Sequence, residues 1–170
     1  MMANLAQGGT ASDISKGVDF FSKLKAAGNF SPVSATGATI KAGTTPVVFN
    51  WDYLNLPSYV GVSNWKVFIP QNAVLGGFYA QAINKGAPHP AAARLWEEFL
   101  YSQAASGGQN LWIEGGARPV EQPAMQSNGS LNASAAGKLP SVSGSPVFLT
   151  QAQNTDAADY LAANWAKAVG

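Results

Sequence analysis

The sequence is 170 residues long, enough for one hydrophobic core, and 46% of it is hydrophobic, which argues for a folded globule and against disorder. Charged residues make up only 11% against the usual ~25%, and 10 Lys+Arg beside 9 Asp+Glu leave a net charge of +1, which offers no footprint for nucleic acid or an anionic membrane. No apolar run nears the ~20 residues of a membrane span, the opening MMANLAQGG shows no signal-peptide pattern, and the lack of Cys excludes disulfides and thiolate metal sites.

In chain order, Ser12 or Asp13 can cap a helix over about 13–27, with Ile14, Val18, Phe21 and Leu24 at three-to-four spacing and Gly28 as its stop. A shorter helix is expected from Ser34 or Thr36 to Lys41, ending at Gly43. The run Pro46–Asn50 suits a buried strand. Leu54 to Val62 is ambiguous, because Pro57 interrupts a helix there. Trp65–Ile69 alternates and stops at Pro70, and Leu75–Ile83 follows as a third strand bent at Gly76 and Gly77. Pro90 opens a helix over 90–101, on which Ala92, Leu95, Trp96, Phe99 and Leu100 form an apolar stripe and Arg94, Glu97 and Glu98 face water. Gln109 to Ile113 is a short helix closed by Gly115 and Gly116. Met125 to Ser145 is a connector, and a long helix over about 150–168 carries Tyr160 and Trp165 on one face. Helices alternating with strands predict an α/β domain with a small mixed sheet.

The order GGFYAQAI, then HPAAARLWEEFL, then GQNLWIEGGARPV resembles the C-terminal half of bacterial extracellular solute-binding proteins. These are the substrate-binding components of ABC importers, in the group that includes ferric-iron, polyamine, thiamine and phosphonate binders. Lys41 to Trp51 is similar to that family's helix-glycine-strand unit, and the resemblance runs from about Gly17 to Gly170. It implies a periplasmic-binding-protein-like lobe of α/β type whose C-terminal helices pack on a first lobe that lies outside these residues. It also implies a periplasmic or extracellular address, a permease partner in the membrane, and a small solute held between two lobes. The isolated chain is expected to expose apolar surface near Tyr160 and Trp165 and to self-associate.

Three places are candidate binding residues. Asn50-Trp51-Asp52-Tyr53 follows an expected strand at its C-terminal end, where ligands of open α/β sheets sit. There Asp52 can hold an organic cation between aromatic faces, or Trp51 and Tyr53 pack on the next helix while Asp52 caps it. The resemblance puts Gly76, Gly77, Phe78, Tyr79 and Gln81 at the lobe junction, with Tyr79 and Gln81 alternating onto one face; the alternative is an edge-strand bulge. Arg118 can reach an anionic ligand, neutralise a helix C-terminus or pair with Glu114.

His89, the lone histidine, has no second ligand beside it and implies neither metal nor catalysis. No Cys nucleophile, Gly-x-Ser-x-Gly elbow or phosphate-cradling glycine loop is present, and no cofactor is implied. Glu97 and Glu98 point in different directions on their helix, so they do not form an acid/base pair. The expected function is capture of a small polar or cationic solute, without enzymatic chemistry. Paired tyrosines in sequence, which ferric-iron members of the resembled family offer, are missing, and so is the extra acid of polyamine members; an anionic phosphonate at Arg118 is the competing ligand. The other readings are an interaction module that pairs through its apolar C-terminal helix and a hydrolase whose serine or carboxylate site has no recognisable motif.

Overall fold

The computed structural model describes residues 1–170, apart from the side chains of Ser58 and Tyr59. Its regular structure is helical: α1 Met2–Ala6, α2 Ser15–Ala26, α3 Gly37–Lys41, α4 Pro57–Val60, α5 Pro90–Tyr101, α6 Gly108–Glu114, α7 Gln122–Asn128, α8 Ala133–Ala136 and α9 Gln151–Val169, with a 3-10 turn at Asp52–Asn55. The chain divides into two units. One comprises Met1–Val48, Phe68–Phe78 and Ser141–Gly170; the other comprises Phe49–Val67 and Tyr79–Pro140.

The expected α/β lobe with a mixed sheet is not what forms. The three runs expected as strands are coil, and β pairing among the described residues is confined to the isolated bridges Thr10 with Asp13 and Leu75 with Val147. Val47 is 75% exposed and Phe68 78% exposed, so these short apolar runs do not supply a buried face. Pro46 and Pro70 also remove ladder donors at the run ends. The Leu75 run is the one that finds a partner: Gly76 N–H donates to Val147 O at 2.9 Å and Val147 N–H to Val74 O at 2.9 Å. Gly76 itself lies against the Phe148 ring, which a Cβ there would meet at 2.6 Å.

Helix punctuation follows the sequence closely. Thr36 caps α3 in a reciprocal capping box with Thr39, and Thr150 does the same for α9 with Gln153. Helices α2, α3 and α6 each end in a Schellman motif at Gly28, Gly43 and Gly116: the glycine N–H reaches back three residues and the next N–H five. At the start of α2 the Asp13 carboxylate accepts from Ser15 N–H at 2.9 Å, which holds this carboxyl below its usual range. Pro57, expected to interrupt a helix, instead opens α4 at its first turn.

In the first unit α2 packs against α1 and α9. Asn4 of α1 is fully buried; its amide donates to Thr10 O at 2.9 Å and Asp13 O at 2.8 Å, and its oxygen accepts from Gly17 N–H at 3.1 Å. Glycine within a helix costs about 1 kcal/mol relative to alanine. At position 17 it is required by contact, because a Cβ there would lie 2.9 Å from Asn4 Cβ. The apolar face of α9 is covered within the unit, with Trp165 against Phe21 and Phe30 at centroid distances of 5.4 and 6.1 Å. Of the apolar patch expected at Tyr160 and Trp165, Trp165 is half-buried against these rings, while Tyr160 stays exposed.

In the second unit α6 packs against α5 and α8 around Ile113. Asn110, 1% exposed, plays the part that Asn4 plays in the first unit. Its amide donates to Ser130 O at 2.9 Å and Ala104 O at 3.1 Å, and its oxygen accepts from Asn132 N–H at 2.8 Å. Helix α5 departs from its expected orientation. None of its residues is buried, Leu95 is 68% and Trp96 54% exposed, and Glu97 is half-buried. No helix among the described residues is long and apolar enough to cross a membrane.

Asn4→Ala and Asn110→Ala should each cost about 2–4 kcal/mol, since each removes three or more hydrogen bonds made by a buried amide. Urea unfolding measures this, and a loss under about 1 kcal/mol in either variant would show that water replaces the amide.

Candidate functional site

The sharp end of α6 sets the geometry of the candidate site. Gly116 has φ +89° and sits against the segment that carries Asp52: a Cβ there would lie 2.2 Å from Leu56 Cδ1 and 3.5 Å from Tyr53 Cα. Only a glycine meets both demands, and the turn it makes delivers Arg118 to the first residue of the 3-10 turn. Arg118 donates through Nη1 to Asp52 Oδ2 and through Nη2 to Pro140 O at 2.6 Å. The two side chains are 32% and 18% exposed, so this is a partly screened pair.

The 3-10 turn is fixed from beneath. Asn55 donates from its amide to Trp51 O at 2.8 Å, and the Trp65 indole N–H donates to Asn55 O at 3.0 Å. This leaves Trp51 at the surface, 42% exposed. Tyr53 points its hydroxyl to that of Tyr79, 2.8 Å away. That hydrogen bond, then burial, raises the Tyr53 phenol above its ordinary value of 10.0, with the charge of Asp52 adding in the same direction. The cluster thus joins an ion pair, a pair of phenols and an open indole, all within the second unit.

The expected site residues are only partly united. Trp51, Asp52, Tyr53, Tyr79 and Arg118 belong to the cluster. Gly77 and Phe78 belong to the first unit, where the Phe78 ring lies 6.2 Å from that of Phe148. Gln81 is exposed coil of the second unit, and without a strand the alternation of Tyr79 and Gln81 defines no shared face. Arg118 pairs with neither Glu114 nor a helix end. Glu114 accepts instead from the Asn132 amide at 2.8 Å. The Asp52 carboxylate, expected to be open to a cation or to cap a helix, is engaged by Arg118. Pro140 O, unremarked in the sequence, is the third member of that contact. Among the described residues no group of three or more His, Cys, Asp or Glu could hold a metal ion.

Comparison with family models, with curated proteins and with solved structures finds no match to this chain. With no sheet in the fold and no relative to support it, the resemblance to the importer-associated solute-binding proteins is overturned. The motifs that carry it, a proline-started helix and glycine-stopped turns, are helix punctuation of general use and recur here in a helical chain.

Two outcomes test this geometry. Gly116→Ala should lose at least about 1–2 kcal/mol, because it adds left-handed strain to the clash with Leu56. A neutral effect in urea unfolding would mean that the turn is not as described. The Tyr53 proton is held more tightly in the folded state, so its stabilisation is full below the unfolded value near 10.0 and is lost as pH rises through the folded one. Wild type should therefore lose stability above pH ~10 by a step that Tyr53→Phe lacks, and parallel alkaline slopes for the two would exclude it.

Proposed function

We propose that the chain is a binding module for a small polar solute without net charge, held at Trp51, Asp52, Tyr53, Tyr79 and Arg118. The observation that carries this is the Asp52–Arg118 pair set beside two hydroxyls and an exposed indole. The indole face takes the apolar side of a solute, and the phenols and the outer edges of the ion pair take its donors and acceptors. A cation at Asp52 would have to displace Arg118, and an anion at Arg118 would have to displace Asp52. The cluster's charges and phenols answer one another, an arrangement suited to holding a solute and not to moving a proton. The importer role, the permease partner and the envelope address rested on the family likeness and are not part of this proposal.

Tryptophan fluorescence, taken as the difference between each protein and its Trp51→Phe counterpart, reports the test. Neutral polyols and a zwitterionic amino acid should outbind spermidine and methylphosphonate in wild type. Arg118→Gln frees Asp52 and should tighten spermidine by roughly tenfold, the worth of a charge-assisted contact. If wild type prefers spermidine, or if the variant leaves its affinity unchanged, the reading is wrong.

A second reading has its own observation. Leu95 and Trp96 of α5 face water, and Trp96 stacks on Phe99 at 5.4 Å. An outward apolar helix face of this kind marks a contact surface. Association between two copies through α5 should make sedimentation concentration-dependent, and Leu95→Glu with Trp96→Glu should abolish that dependence. This reading takes α5 rather than the C-terminal helix as the pairing element, and persistence of the association in the double variant would remove α5.

A further inference from the structure

We propose that Tyr53 and Tyr79 form an oxidative cross-linking site, in which the two phenols couple to one dityrosine when the protein meets a one-electron oxidant of the peroxidase class. The two phenols already meet through their hydroxyls. The hydroxyl oxygens are 2.8 Å apart although the residues are 26 positions apart in sequence. In phenol coupling the bond forms between ring carbons next to the hydroxyl-bearing carbon, and these are the ring edges that a hydroxyl-to-hydroxyl contact brings together. Tyr53 is held in the braced 3-10 turn, while Tyr79 is 79% exposed on coil and can rotate the short distance that coupling needs.

The step balances as follows. Each phenol gives up one electron to the oxidant and its hydroxyl proton to solvent, leaving two phenoxyl radicals. These join through one ortho carbon each, and the hydrogen on each newly bonded carbon then moves to that ring's oxygen, restoring both hydroxyls. The net change is loss of two protons and two electrons, with one carbon–carbon bond gained. Pre-positioning makes coupling within one molecule far faster than coupling between molecules, because no encounter is needed. The product ties the Tyr79 coil to the turn that carries Asp52 and fixes the exposed side of the cluster.

The test treats the full chain, at low concentration, with peroxidase and hydrogen peroxide. The expected result is a monomer lighter by two hydrogen atoms, blue dityrosine fluorescence, and a fragment joining the peptides of Tyr53 and Tyr79. Tyr53→Phe and Tyr79→Phe should each abolish the signal, and Tyr101→Phe and Tyr160→Phe should retain it. Since Tyr79 is a surface residue, its variant keeps the test decisive even if Tyr53→Phe perturbs folding, which circular dichroism reports. A bond to Tyr59, Tyr101 or Tyr160, dityrosine found only between molecules, or methionine oxidation without dityrosine would each overturn the proposal.

Discussion

Two buried asparagine side chains set the terms on which the rest of this structure stands. A helical chain with long connectors has many backbone groups outside any ladder, and each one that is buried must find a partner. Asn4 and Asn110 supply those partners at the places where a loop turns back on a helix. Each amide engages both its donor and its acceptor, so a single side chain fixes the path of three or four backbone groups. Leucine at either position would fill the space and leave those groups bare, at about 1–3 kcal/mol for each group. Low charge fits the same economy, since amides carry the polar contacts that ion pairs carry elsewhere.

Local chemistry was legible and long-range pairing was not. Helix starts at Thr36, Pro90 and Thr150, and helix stops at Gly28, Gly43 and Gly116, depend on hydrogen bonds within a few residues, and the sequence displays them directly. The strands failed because a strand is defined by its neighbour. Pro46–Asn50 and Trp65–Ile69 have the composition of strands, but nothing in their own residues reports whether a second strand will lie beside them. Helix α1 was missed for the opposite reason. Five residues with no side-chain cap give almost no signal, and α1 is held by Asn4 reaching across to residues 10, 13 and 17.

The site divides in the same way. Trp51, Asp52, Tyr53, Tyr79 and Arg118 are identifiable as polar and aromatic residues beside turns. Their pairing is not, since Asp52 and Arg118 stand 66 residues apart and meet through the Gly116 turn. The doublet of tyrosines absent from the sequence is present in space, made by Tyr53 and Tyr79. The two phenols are 26 positions apart in covalent order, and only folding places them side by side.

The proposed solute preference follows from this pairing rather than from composition. With 10 basic and 9 acidic residues, the whole chain exerts little long-range field, so the charge a solute meets is that of its immediate neighbours. At the cluster these neighbours are one carboxylate and one guanidinium already joined. A charged solute must break a formed contact to make its own and gains only the difference between the two. A neutral solute adds its hydrogen bonds to groups that keep theirs, since each carboxylate oxygen and each guanidinium nitrogen can serve more than one partner. In the proposed binding role the ion pair would act as a filter: its modest strength at a partly exposed site penalises a net charge, while the phenols and the indole serve a solute that carries no net charge.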